Sequence, residues 1–283
     1  MKKGLVLEGG AMRGLFSAGV MDVMLAHGIE FDGVVGVSAG AAFGANFISR
    51  QQGRTIRYNK RFAKDWRYCS FRSWLTTGDL YGADFAYHKL PDELDVFDTE
   101  AFEKNATVFY VVCTDVETGK AVYKECRETG YDLLEWVRAS ASMPLVSRIV
   151  HVEGRKLLDG GVADSIPLAF MEGQGYDRNV VITTQPSDYQ KKPNPFLPLM
   201  RLSLRKYPQM IRALADRHLM YNDQLAYVAH REAAGAALVV RPDKPLQIGH
   251  TSHNPDEMQC TYDEGKKKGE EMIDQIRRFL ARE

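Results

Sequence analysis

The chain has 283 residues, of which 45% are hydrophobic, 26% charged and 10% aromatic, a composition that excludes collagen-like, disordered and disulfide-framework proteins. Lys plus Arg and Asp plus Glu each number 37, so the formal net charge is zero, and a nucleic-acid partner, which calls for a basic excess, is not expected. Length and composition suit one large α/β domain with a sizeable core. In chain order, Gly4 to Glu8 reads as a short buried strand running into a glycine-rich turn. Leu15 to Ala26 reads as a helix, apolar on most faces, with Gly28 at the position that favours a left-handed cap. Asp32 to Val37 reads as a second buried strand, and Ala39 to Arg50, rich in Ala and Gly, as a second helix. Strand, helix, strand, helix with tight turns is the pattern of a parallel sheet covered on both faces.

The middle of the chain is less regular. Residues 54–72 carry seven basic residues against one acid, and residues 92–103 carry six acids and no base; each block is expected to be a solvated surface. Thr107 to Thr114 predicts a core strand that pairs with Ala121 to Lys124, and Leu133 to Ala141 predicts a helix. Ile149 to Val152 and Lys156 to Leu158 read as short strands around Glu153-Gly154. Asn179 to Thr184 and Ala236 to Arg241 read as further buried strands, and helices are expected over Pro208 to Ala233 and Asp263 to Ala281. Between them, residues 189–215 interleave six Lys or Arg and no acid with apolar residues. Those apolar residues either pack on the core or lie at a membrane interface, with Phe196, Leu197 and Leu199 dipping in and Arg201, Arg205 and Lys206 meeting anionic headgroups. No repeat, low-complexity tract or long linker divides the chain, so a single domain over 1–283 is expected.

Cys69, Cys113, Cys126 and Cys260 form no CxxC pair and no metal-like cluster, which reads as reduced thiols and no metal site. The apolar run Leu5-Val6-Leu7 stops at Glu8, well short of the apolar core of about 7–15 residues of a signal peptide. No run of about 18 apolar residues suits a membrane span. A cytoplasmic location is expected.

The strongest local signal is Gly36-Val37-Ser38-Ala39-Gly40, a G-x-S-x-G pentapeptide after an apolar strand and before a helix. A sharp strand-to-helix turn puts its serine in a strained backbone conformation that small neighbours accommodate, and the helix N-terminus favours developing negative charge. Ser38 is therefore the candidate nucleophile. The first strand closes with Glu8-Gly9-Gly10-Ala11-Met12-Arg13-Gly14. A dinucleotide-binding turn would be G-x-G-x-x-G, but Ala11 holds the place of its second glycine and no acid ends the second strand. Backbone N–H groups at such a helix start serve as an oxyanion hole, the better reading beside a nucleophile elbow. A serine needs a base. Seven histidines are present, and only His250 and His253, in a polar loop, have a setting that could fold over a site. An aspartate competes with them: Asp159 ends an apolar strand before Gly160 and Gly161.

The set EGGAMRG, GVSAG, ASASMP (Ala139 to Pro144) and DGGVADSIP (Asp159 to Pro167) resembles the patatin-like phospholipase family, its small bacterial members above all. The motifs lie within residues 4–185; the last hundred residues carry no mark of the family. The resemblance implies a three-layer α/β/α fold and a Ser-Asp dyad, with Asp159 taking the proton of Ser38 directly. It further implies oxyanion donors from the N–H groups of Gly10 and Ala11, joined by Ala39, with Gly9, Met12, Arg13, Gly14, Gly36, Gly40, Gly160 and Gly161 as supporting positions. No metal or other cofactor is implied, and the substrate is a lipid ester or phospholipid. The chain departs from the family at Ala11, where a third glycine is usual, and at Ser165, where an asparagine is common. Two other chemistries use the same elbow: an esterase with a histidine base, and an acyltransferase that passes the acyl group to a thiol or alcohol.

Overall fold

The computed structural model describes residues 1–281. Eight strands form one sheet: β1 (Lys2–Leu7), β2 (Gly33–Val37), β3 (Val108–Asp115), β4 (Ala121–Cys126), β5 (Val150–Val152), β6 (Arg155–Asp159), β7 (Tyr176–Ile182) and β8 (Ala237–Val240). Their order is β5-β6-β3-β2-β1-β7-β8, with β4 also on β3. The run β3-β2-β1-β7-β8 is parallel, and β4, β5 and β6 supply the antiparallel pairings.

Alternation along the strands sorts the side chains into two layers. Leu5, Leu7, Val34, Phe109, Val111, Val180, Ile182, Leu238 and Val240 join the larger core on one face. Val6, Val35, Val37, Val112, Val181 and Val239 join a second core on the other. Both faces are buried, which is why these strands read as nearly continuous apolar runs. The larger core is covered by α1 (Gly14–Ala26), α2 (Ala39–Ile48), α3 (Arg54–Phe62), a π-helical segment Phe85–Leu94 and α5 (Thr99–Lys104), while the short α4 (Phe71–Thr77) contributes no residue to it. Helix α6 (Tyr131–Ser140) packs on β3. On the opposite face lie α7 (Leu168–Gly173), the short α8 (Leu197–Ser203) and the long α9 (Pro208–Ala233). The final α10 (Pro255–Leu280) runs along α1, which explains why α1 is buried nearly all round. The fold is the expected three-layer α/β/α arrangement.

Two stretches differ from expectation. The basic block is only partly solvated: Arg54 is buried, its Nη1 donating to Asn46 Oδ1 (2.5 Å) and its Nε lying 3.3 Å from Asp95 Oδ1. Arg57 also pairs with Asp95 (2.8 Å), so the basic and acidic blocks meet as partners instead of as two separate solvated faces. The last helix starts eight residues earlier than expected, with Asn254 accepting from Asp256 N (3.0 Å) and Pro255 in the first turn. Residues 189–215 divide between the two readings. Met200 and Leu204 are buried and Leu197 packs beside them, while Phe196, Leu199 and Leu202 are 64%, 53% and 67% exposed.

Candidate active site

The register of β3 brings Ser38 and Asp159 together. One edge of β3 is taken by β4, and the other carries β2 and then β6, end to end. Val37 pairs with Val112, the last contact of β2. Asp159 pairs with Cys113, the next residue, as the last contact of β6 running the opposite way. The two strands therefore point their ends at each other across one step of β3. Ser38 Oγ donates to Asp159 Oδ2 over 2.8 Å, with both residues buried.

Ser38 has φ 55° and ψ −121°, a strained conformation for a residue with a side chain. Packing enforces it. A Cβ on Gly36 would stand 2.5 Å from Gly40 O, and one on Gly40 would stand 2.5 Å from Leu7 O, so only glycine lets the turn close against β1. Ser38 N donates to Ser140 Oγ (2.8 Å), and Ser140 donates in turn to Val112 O (2.6 Å). Ser142 O accepts from Asp159 N (2.8 Å). The ASASMP segment thus clamps the backbone of both residues, a role that its small side chains did not announce.

Asp159 also accepts from Gly161 N at Oδ1 (2.8 Å), and Thr114 Oγ1 donates to Asp159 O (2.8 Å). Burial raises the carboxyl above the ordinary aspartate value, opposed by nearby Arg217, the bonds from Ser38 and Gly161, and Lys191. Gly160 backs onto Val112 O, and Ser165, in the place of the family's asparagine, donates to Gly161 O (2.7 Å).

The glycine-rich turn lies beside the elbow: Gly9 borders Ser38, and Gly14 borders Ala39. Ala11 adopts φ 50°, the left-handed region where the family's glycine is at ease. Among the described residues, the N–H groups of Gly9, Gly10 and Ala11 donate to no protein acceptor. Glu8, just before this turn, is buried and accepts from Tyr221 Oη (2.5 Å) and Thr184 N (2.6 Å). Met12 is buried, and Arg13 Nη1 contacts His250 Nε2 (2.6 Å).

No histidine hydrogen-bonds Ser38 or Asp159 among the described residues. His250 meets Arg13, and His253 Nδ1 meets Ala63 O (2.8 Å). Crowding by the protein and the charges of Arg13, Lys191 and Arg217 push His250 down to about 4. From Ser38 a cavity of about 120 Å³ runs between α2, α3, α6 and residues 68–97. Ala42, Phe43, Leu90, Leu133 and Val137 are among its apolar lining, and Asn46, Arg54, Tyr58 and Asn59 among its polar lining. The described residues contain no group of three or more His, Cys, Asp or Glu placed to hold a metal ion.

A family model described as patatin-like phospholipase matches residues 5–171. The chain belongs to the patatin-like phospholipase family. Membership carries the class of reaction, hydrolysis of lipid esters. A second model, described as a domain of unknown function (DUF6363), matches residues 207–281. The uncharacterized protein YjjU of Escherichia coli K12 is 27% identical over 248 residues, 86% of this chain and 69% of that protein. Lysophospholipase nte1 of Aspergillus niger is 29% identical over 179 residues, and the match spans 62% of this chain but only 11% of that protein. A solved structure of VipD from Legionella pneumophila superposes with a TM-score of 0.48 at 13% identity, covering 97% of this chain and 67% of that one.

The site extends past the family match. Helix α9 presents Arg217, Tyr221 and Gln224 along one face, three and four residues apart. Arg217 Nε donates to Gly161 O (2.6 Å), Tyr221 holds Glu8, and Gln224 Oε1 accepts from Ser165 N and Ile166 N (3.1 and 3.0 Å). Sequence reasoning missed this brace. Its one available signal was a polar series on the apolar stripe of a long helix.

Proposed function

We propose that this chain is a serine acyl hydrolase in which Ser38 is the nucleophile and Asp159 its general base, acting on carboxylic esters of lipids. The observation that carries the reading is the 2.8 Å bond from Ser38 Oγ to buried Asp159 at the head of an apolar cavity. Ser38 Oγ attacks the ester carbonyl carbon as Asp159 Oδ2 takes its proton. The oxyanion forms against the N–H groups of Gly10 and Ala11, with Ala39 N at the start of α2. Collapse breaks the ester C–O bond, Asp159 protonates the leaving alkoxide, and the acyl group stays on Ser38. Water then attacks the acyl-enzyme, giving its proton to Asp159, which returns it to Ser38 as the acid departs. A carboxyl raised by burial is a better base for these proton transfers than an exposed aspartate. The cavity lined by Phe43, Leu90, Leu133 and Val137 receives the acyl chain, so residues 68–97 belong to the acyl pocket.

The reading takes residues 1–283 as one patatin-like domain, of which 282 and 283 lie outside those described. Its support is β8 in the same sheet and α10 on α1. Among the described residues no helix is long and apolar enough to cross a membrane. The protein works in the cytoplasm and meets lipid through the exposed Phe196, Leu199 and Leu202 beside Arg201, Arg205 and Lys206; free thiols at all four cysteines support the location.

A fluorophosphonate probe, run with release of p-nitrophenol from a medium-chain ester, tests the reaction. Labelling of wild type that vanishes in Ser38→Ala, with turnover collapsed in Ser38→Ala and Asp159→Asn, is the expected result. Labelling that persists without Ser38 overturns the reading.

A further inference from the structure

Three cations gather around His250 near the dyad, each from a different element. Arg13 comes from the glycine-rich turn, Lys191 from the loop before α8 and Arg217 from α9. Arg217 Nη2 and Asp159 Oδ1 each approach within 3.1 Å of the point a Cβ on Gly161 would occupy, so the guanidinium stands beside the base. Lys191 Nζ lies 4.5 Å from the centre of the Tyr221 ring, the ring whose hydroxyl holds Glu8 at the head of the glycine-rich turn. The backbone of Lys191 is pinned to Asn222, which accepts from its N (2.8 Å) and donates to its O (3.1 Å). Arg13 Nε is buried and has no hydrogen-bond partner.

None of the three pairs with a carboxylate within 4.0 Å among the described residues; their bonds go to a carbonyl, an imidazole and an aromatic face. Nearby carboxylates are engaged otherwise: Asp159 with Ser38 and Gly161 N, Glu8 with Tyr221 and Thr184. Desolvation and the charges of Arg217 and Arg13 depress Lys191 to about 8. Some half-buried cations elsewhere have acids, as Arg138 has Glu135 and Lys268 has Asp243, and those without one among the described residues, such as Lys60 on α3 and Arg178 on β7, stand singly. Cations gathered without an acid beside a reactive serine lack only an anion.

We propose that Lys191 and Arg217, together with Arg13, form a subsite for a phosphate carried by the substrate next to its scissile ester. Phosphate-bearing acyl esters are then preferred over neutral acylglycerols. The inference rests on the hydrolase reading for its kinetic test. It also gives the 207–281 region a role, in which Arg217 brings the charge while Tyr221 and Gln224 set its place. The acyl cavity runs from Ser38 among Ala42, Phe43 and Leu133 and none of the three cations lines it, so the phosphate is assigned to the leaving-group side. No bond to phosphorus is made or broken.

The test compares two micellar substrates with the same acyl chain, decanoyl-lysophosphatidylcholine and monodecanoylglycerol, on wild type, Lys191→Gln and Arg217→Gln. The ratio of kcat/KM for the phosphate-bearing ester to that for the neutral one should fall about tenfold in each variant, the worth of one charge-assisted contact. A parallel loss on both substrates, with the acid limb of the pH profile moved up, overturns the proposal, because the cations then act only through Asp159. A second measurement is independent of turnover: dodecylphosphocholine monomers titrated calorimetrically into Ser38→Ala protein, against dodecyl maltoside as the uncharged control. Binding of the phosphocholine that weakens about tenfold on adding Lys191→Gln, with the maltoside unaffected, upholds the subsite even if no ester is hydrolysed. Equal binding with and without Lys191 sinks it. Failure of the hydrolase reading shows separately, as absence of fluorophosphonate labelling at Ser38.

Discussion

The two halves of the site are built by different means. Its front, from β1 to α2, is made of backbone: a strained serine, free N–H groups and glycines that let three chain segments touch. Its rear, from Lys191 to His250, is made of side chains reaching in from a loop and a long helix. Backbone geometry of the first kind tolerates few residue types and therefore leaves a motif. Side chains of the second kind need only a position on a helix face, and many sequences provide one. On the proposed mechanism the front carries the bond chemistry, and on the proposed subsite the rear carries the choice of substrate.

The largest expected effect lies at the Ser38–Asp159 pair. Ser38→Ala and Asp159→Asn should each lower kcat by roughly 10⁴, the cost of losing one member of a nucleophile–base unit, as measured on a medium-chain p-nitrophenyl ester. In the proposed mechanism activity needs the carboxylate, so its acid limb should lie above the ordinary aspartate value, as a pH profile from about 4 to 9 would read. Stability runs the other way. A carboxyl whose folded pKa is raised stabilises the fold below its unfolded pKa and loses that contribution as pH rises through the folded value. At neutral pH the buried charge is a burden, so Asp159→Asn should melt at a higher temperature than wild type, and a lower melting point would contradict this account of its burial.

Next comes Gly40→Ala, whose methyl would stand 2.5 Å from Leu7 O. We expect a loss of about 3 kcal/mol in urea unfolding, with activity lost beyond what the remaining folded fraction explains. Tyr221→Phe tests the rear: it strips the buried Glu8 of one donor and should cost about 2 kcal/mol. A variant as stable as wild type would mean that α9 does not brace the turn. Smallest is Ala11→Gly, which relieves a left-handed alanine and should stabilise by about 1 kcal/mol. Replacement of Phe196, Leu199 and Leu202 by Ser leaves the core untouched and should abolish co-sedimentation with anionic vesicles, whereas binding that survives would remove the lipid contact.

The parallel strands were legible because both faces of the sheet are buried, which writes runs such as Val34-Val35 and Val180-Val181-Ile182 into the chain. Ser38 and the glycines carried a motif for the reason given above, whereas Asp159 was picked out by the resemblance to the family, and the two side chains do meet. The segments around the cavity were not legible. Helices α3 and α4 and the π-helical turn with Pro91 inside it are short, and the region holds together through pairs such as Arg54 with Asp95 that are distant in sequence. Charge runs looked like surface because a run shows composition and not partners. The start of α10 did carry a signal in Asn254-Pro255-Asp256-Glu257, a cap, a first-turn proline and two acids. The basic cluster was out of reach, since nothing in the sequence relates Arg13 to residues about two hundred positions later.

If Ser38 and Asp159 act as proposed, the end-to-end meeting of β2 and β6 against β3 makes catalysis a gauge of the whole molecule. Neither Ser38 nor Asp159 sits on a loop that can loosen by itself: Asp159 is itself paired with the central strand, and Ser38 follows directly on a residue that is. Local fraying at the ends of the chain leaves their separation untouched, and whatever parts them must first open the middle of the sheet. Inactivation by heat or denaturant should therefore trace the same curve as loss of the sheet itself.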